Sequence, residues 1–266
     1  MDNRSPIGIF DSGVGGLTVV NNILKAMPNE SIIYFADSIN FPYGTRSEKE
    51  IKFFSKRIAK FLISQGVKAL IIACNTASST AINEVKEVAG RIPVFGMIQY
   101  GSLYALKTSK NKKIGIISTP LTAKKHAYKN EIQRNAPESK VFEVGSQDLV
   151  NLVEDGITQN QYALALAKER LEEPIRRGID TLVLGCTHFP FLSKVVKQIV
   201  GSNIYVIDPS DYLAEKVKEY IEKQGLCNDY KPPIRNYYTT GDEKDFLEKT
   251  KIFLEFNAEN VKHITI

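Results

Sequence analysis

Short apolar runs rich in Ile, Val and Leu alternate along the whole chain with longer helical patterns, and this alternation restricts the fold to parallel strands joined by crossover helices. The strands expected on this pattern are Ile7 to Phe10, Ser31 to Ala36, Ala69 to Ala73, Val94 to Met97, Lys113 to Ile117, Lys140 to Val144, Thr181 to Leu184 and Asn203 to Ile207. A last one is expected near Val261 to Ile264. Helical patterns fill the gaps: Leu17 to Met27, Ser47 to Gln65, Ala77 to Ala89, Ala123 to Asn135, Gln161 to Arg177, Leu192 to Val200, Tyr212 to Gln224 and Lys244 to Phe256.

The order repeats once. Ile7-Gly-Ile-Phe-Asp-Ser12 resembles Ile114-Gly-Ile-Ile-Ser-Thr119, and Ile71-Ile-Ala-Cys-Asn-Thr76 resembles Leu182-Val-Leu-Gly-Cys-Thr187, at separations of 107 and 112 positions. Either match alone is the chance likeness of two apolar strands, but two in register point to duplication. The expected architecture is α/β, with two similar open parallel-sheet lobes. Ligand groups gather at the carboxyl ends of such strands, so the active site is expected in a cleft between the lobes.

Composition narrows the class. With 43% apolar and 24% charged residues among 266, the chain has the balance of a globular protein. The start MDNRSPIGIF has no signal pattern, and no apolar run reaches the roughly 20 residues of a bilayer crossing, so a cytoplasmic location and no membrane partner are expected. The net charge of +5 is scattered, and its densest run, Lys107, Lys110, Lys112 and Lys113, reads as a solvated helix end and loop, so no nucleic-acid partner is expected. Mild positive charge suits an anionic substrate. Three cysteines, none in a C-x-x-C pair, give neither a disulfide framework nor zinc spacing, so no metal is expected.

Four segments carry candidate chemistry. Asp11-Ser-Gly-Val-Gly-Gly-Leu-Thr18 follows the first strand and opens a helix, so its glycines permit a tight turn whose N–H groups can bind an anion. No Lys follows the glycines, so it is not a Walker loop. Ala36-Asp-Ser-Ile-Asn-Phe-Pro-Tyr-Gly44 is a loop stiffened by Pro42 and Gly44, with the Tyr43 phenol beside them. In Ile71-Ile-Ala-Cys-Asn-Thr-Ala-Ser78 a strand ends in a thiol that opens a helix, and a helix start favours thiolate, making Cys74 a usable base. A lone Cys at a strand end is also an ordinary small core residue. Leu184-Gly-Cys-Thr-His-Phe-Pro190 repeats strand, thiol, hydroxyl and helix start and adds His188, which leaves open a Cys186–His188 nucleophile pair. Asn75, Thr76 and Thr187 have the side chains to hold a carboxylate. His126 and His263 read as surface or packing residues.

Taken together and in this order, GIFDSGVGGLTV, ADSINFPYG, IIACNTAS and GCTHFPFL resemble the glutamate racemases of the aspartate/glutamate racemase superfamily, and the likeness runs from Ile7 to YYTTGDEKDF. The resemblance implies two lobes related by a pseudo-twofold axis, the first formed by residues 1–98 with 208–266 and the second by 99–207. It implies interconversion of L- and D-glutamate for peptidoglycan synthesis without a cofactor, one thiolate taking the α-proton while a thiol on the other face returns one. On this likeness Cys74 acts on D-glutamate and Cys186 on L-glutamate, assisted by Asp11 and His188 respectively. Asn75, Thr76 and Thr187 hold the carboxylates, while Ser12, Pro42, Tyr43 and Gly44 complete the pocket. Thr119, Thr122 and Glu154 fall at further matching positions, and a homodimer is expected. No lysine stands in the phosphate-binding setting that pyridoxal phosphate needs.

The chain departs from the family pattern at Tyr100, where a proline is usual, and at Gly145-Ser-Gln, where a Cys-Pro stretch is usual. Longer members carry an amino-terminal extension linked to activation by a cell-wall precursor; this chain starts a few residues before its first strand, and no such activation is expected. Racemisation of aspartate, a non-catalytic binding role that would not need both thiols, and a redox dithiol are the competing readings.

Overall fold

The computed structural model describes residues 2–256, 258 and 260–266. The chain divides into two compact units, Met1–Met97 with Leu213–Ile266, and Ile98–Tyr212.

The elements of the first stretch are β1 (Ile7–Asp11), α1 (Leu17–Ala26), β2 (Ile32–Ala36), α2 (Glu48–Ser64), β3 (Ala69–Ile72), α3 (Asn75–Ala89), β4 (Val94–Gly96) and α4 (Met97–Thr108). The middle stretch holds β5 (Lys113–Ser118), α5 (Pro120–Lys124), α6 (Ala127–Asn135), β6 (Lys140–Gly145), α7 (Asp148–Glu154), α8 (Gln161–Arg176), β7 (Thr181–Gly185), α9 (Ser193–Val200), β8 (Tyr205–Ile207) and α10 (Pro209–Lys223). The chain closes with β9 (Arg235–Thr239), α11 (Glu243–Phe253) and β10 (Val261–His263).

Both sheets are parallel throughout, as the alternation of elements predicts. One has the order β10-β9-β2-β1-β3-β4, the other β6-β5-β7-β8. Strands β1, β2, β3 and β7 are buried at every residue, because crossover helices cover both faces of a parallel sheet, and they are near-continuous apolar runs broken only at their ends by Asp11 and Thr181. Each fully buried Ile, Leu, Val or Phe contributes roughly 1.5–3 kcal/mol.

The two sheets share one winding. In the first, the chain steps from β1 to β2 on one side and then returns to β3 on the other; in the second it steps from β5 to β6 and returns to β7. Each sheet therefore has one switch point, between the carboxyl ends of β1 and β3 and between those of β5 and β7, where no crossover helix covers the strand ends.

Several elements differ from the sequence expectation. Helix α4 reads poorly in the sequence because Gly101 interrupts its apolar pattern. A Cβ there would lie 2.9 Å from both Pro209 Cβ and Tyr128 Cε1, so close packing requires the glycine. The single helix expected over Ala123 to Asn135 is two helices, broken at His126, whose backbone is left-handed at φ 49° and whose Nδ1 lies 2.7 Å from Glu143 Oε2. Strand β9 lacks an apolar run because Arg235, Asn236 and Tyr238 are only half-buried; it is a strand because it pairs with β2 from Ile32↔Arg235 to Ala36↔Thr239. Among the described residues no helix is long and apolar enough to cross a membrane.

Candidate active site

At the switch point of the first sheet, Asp11 ends β1 and Cys74 follows β3. Asp11 is fully buried, and its Oδ2 accepts a 3.0 Å hydrogen bond from the Gly13 N–H, folding the glycine turn back over the strand end. Gly16 has no room for a side chain: a Cβ would sit 2.5 Å from Asp11 Cβ and 2.6 Å from Tyr34 Oη. Tyr34 in turn donates to the Gly13 carbonyl at 2.5 Å.

Cys74 is 5% exposed and is the N-cap of α3. The Ala77 N–H donates to its Sγ at 3.4 Å, and its S–H points to Ser12 Oγ at 3.8 Å. The partial positive charge of a helix start favours a thiolate, so the same geometry that begins α3 supports a base there. Asn75 and Thr76, the first two residues of α3, are buried beside it.

The loop after β2 brings Tyr43 in through a cis Phe41–Pro42 bond; Pro42 is half-buried and Gly44 buried. Tyr43 donates to Asp37 Oδ2 at 2.6 Å, and Asp37 Oδ1 accepts from Thr240 Oγ1 at 3.0 Å. Burial first, and then the charge and hydrogen bond of Asp37 with smaller effects of Cys74 and Asp11, hold the Tyr43 phenol well above its ordinary pKa. It stays neutral. Asp37 has no signal in the sequence; the pairing Asp11↔Ala36 of β1 with β2 is what puts it one residue beyond the level of Asp11 at the strand ends.

At the switch point of the second sheet, Thr119 follows β5 and Cys186 follows β7. Thr119 caps α5, and its Oγ1 lies 2.9 Å from Thr122 Oγ1. Cys186 is 6% exposed, with Thr187 and His188 buried next to it. Its Sγ lies 3.7 Å from His188 Nδ1, and His188 Nε2 lies 2.7 Å from Glu154 Oε1 at the end of α7. Burial opposes charge on the ring, but the hydrogen bonds and charges of Cys186 and Glu154 outweigh it and raise His188 from 6.5 to about 10. As an imidazolium it donates to both neighbours.

The two thiols thus acquire their support differently. Cys74 stands at the start of a fifteen-residue helix, whereas the helix start expected at Cys186 is only a short 3-10 turn, Phe189–Leu192, with α9 beginning at Ser193, and a charged imidazole takes its place. The candidate residues fall into two groups: Asp11, Ser12, Pro42, Tyr43, Gly44, Cys74, Asn75 and Thr76 in the first unit, and Thr119, Thr122, Glu154, Cys186, Thr187 and His188 in the second. Cys227, the remaining cysteine, is exposed and belongs to neither. Among the described residues no three His, Cys, Asp or Glu side chains are grouped as a metal site.

Known proteins share this sequence and fold. The family described as Asp/Glu/Hydantoin racemase matches residues 7–217. The glutamate racemase of Thermoanaerobacter pseudethanolicus is 39% identical over 269 aligned positions, covering 100% of this chain and 99% of that protein. Among solved structures, the glutamate racemase of Francisella tularensis in complex with D-glutamate superposes with a TM-score of 0.93 at 35% identity, covering 99% of this chain and 98% of that one. The Thermus thermophilus enzyme in complex with beta-chloro-D-alanine gives 0.90 at 32%, covering 100% and 99%. On the strength of a family match over most of its length and full-length relatives, the chain belongs to the glutamate racemases of the Asp/Glu racemase family.

Proposed function

We propose that this chain interconverts L- and D-glutamate with Cys74 and Cys186 as its two acid/base groups. What carries this reading is the pair of buried thiols, each following the strand beside its sheet's first strand, Cys74 capping α3 with the Ala77 N–H on its sulfur and Cys186 beside His188. Inverting an α-carbon requires a proton to leave one face and another to arrive on the opposite face, and two thiols let each face be served without moving a base or the substrate. Cys74 takes the α-proton of D-glutamate with Asp11 assisting, and Cys186 takes that of L-glutamate with His188 assisting. The α-proton is far less acidic than a thiol, so the carbanion-like state depends on preorganised donors in a water-poor setting. Asn75, Thr76 and Thr187 hold the carboxylates, with Ser12, Pro42, Tyr43, Gly44, Thr119, Thr122 and Glu154 completing the surroundings.

The reaction needs no pyridoxal phosphate, and it supplies D-glutamate for peptidoglycan in the cytoplasm. We read the enzyme as a homodimer, which sedimentation equilibrium tests. Incubation of the purified protein with L-glutamate in D2O, without added pyridoxal phosphate, gives loss of optical rotation with deuterium at the α-carbon. Absence of exchange at every pH tested would sink the reading. Cys74→Ser and Cys186→Ser each lose full turnover because serine is a much weaker acid, and normal turnover by either variant rejects the two-thiol scheme. Aspartate run in parallel reports the strictness for side-chain length.

A further inference from the structure

We propose that Tyr34, which lies one layer behind the groups assigned above, is a positioning residue for the Cys74 half-reaction; this rests on the functional reading just given. Tyr34 sits in the middle of β2 with no exposed surface. Its hydroxyl occupies the crook of the glycine turn: it donates to the Gly13 carbonyl at 2.5 Å and lies 2.6 Å from where a Gly16 Cβ would stand, a position itself 2.5 Å from Asp11 Cβ. One phenol therefore meets the turn at two of its glycines, and the residues between strand and turn are Asp11 and Ser12. Ser12 Oγ is in turn 3.8 Å from Cys74 Sγ.

The ring is itself braced. It stacks on Phe246 of α11 at 6.3 Å and 22° and packs against Tyr237 of β9 at 6.4 Å, so the carboxyl-terminal return of the chain backs the turn through this one side chain. The glycines of the turn carry no side chains of their own to anchor it; without the phenol the turn that holds Asp11 through the Gly13 N–H loses its backing, and Ser12 loses the constraint that keeps its hydroxyl at the thiol.

The test is Tyr34→Phe, which keeps the packed ring and removes only the hydroxyl, with Phe246→Leu as a variant that loosens packing while keeping the hydrogen bond. Enantiomers have equal free energy in water, so kcat/KM is the same in both directions for every variant. The α-deuterium isotope effect on kcat/KM is not so constrained. For Tyr34→Phe, kcat/KM falls on the order of tenfold. The isotope effect rises when α-deuterated D-glutamate is the substrate, because the Cys74 step has slowed, and falls toward unity with L-glutamate. Phe246→Leu lowers the Tm without splitting the two isotope effects. A Tyr34→Phe protein with equal changes for both enantiomers, or with none, overturns the positioning role, as does the same split in Phe246→Leu. Failure of the wild-type protein to exchange the α-proton overturns the functional reading itself and this inference with it.

Discussion

His188 sits in an environment that turns its ordinary chemistry around. Burial alone would drive the imidazole toward neutrality, yet Cys186 at 3.7 Å and Glu154 at 2.7 Å hold it charged up to about pH 10. Glu154→Gln removes one of those two supports, so the ring's titration, followed by NMR, moves down from about 10 toward 6.5; an unmoved titration would show that Glu154 does not set the charge state. The same shift links to stability. A histidine whose pKa is higher in the folded than in the unfolded chain contributes stabilisation that is fully present below about pH 6.5 and is lost as the pH rises through about 10. Urea melts of wild type and His188→Asn at pH 6, 8 and 10 give a stability difference that shrinks with pH. At this scale the sequence was informative: the Cys186-Thr-His188 spacing puts thiol and imidazole side by side, while the bond to Glu154, 34 positions away, has no local signal.

Among the elements, α2 shows how a short motif fixes a boundary. Ser47 caps it: Ser47 Oγ accepts from the Glu50 N–H at 3.3 Å, and Glu50 Oε2 accepts from the Ser47 N–H at 3.0 Å. Replacing Ser47 by Ala leaves the helix start unsatisfied and costs about 1 kcal/mol in a urea melt, whereas no loss would mean the interior packing of Ile51, Ile58 and Leu62 alone holds the helix. That start was readable from Ser47 followed three residues later by Glu. The break at His126 was not, because nothing in Ala123 to Asn135 forbids one continuous helix; it depends on Glu143 of the neighbouring strand β6, which takes up the histidine.

For the whole molecule, the return of the carboxyl-terminal chain is pinned by a buried ion pair. Lys68 has no exposed surface; its Nζ lies 2.6 Å from Glu30 Oε2 and donates to the carbonyls of Leu226 at 2.7 Å and Asn3 at 2.9 Å. The Asn228 N–H donates to Glu30 Oε1 at 2.9 Å. Lys68→Met leaves Glu30 charged, buried and without its cation, which costs roughly 3–5 kcal/mol. The double variant Lys68→Met with Glu30→Leu recovers part of that loss. If the two single variants and the double lose stability additively in urea titrations, the pair is not coupled and the pinning role fails.

The alternation of apolar runs and helical patterns determined by itself that the chain is α/β with parallel sheets, since strands covered on both faces read as near-continuous apolar runs. The doubled strand-thiol-hydroxyl signal marked Cys74 and Cys186 as the candidate acid/base pair. What only the tertiary structure decided were features whose cause lies far off in sequence. Strand β9 exists because β2 offers it an edge, Gly101 is dictated by Pro209 and Tyr128, and Asp37 matters because Tyr43 folds back onto it. A sequence shows a residue's own pattern, and long-range hydrogen bonds and close approaches are written in the partner, which becomes a neighbour only when the chain has folded.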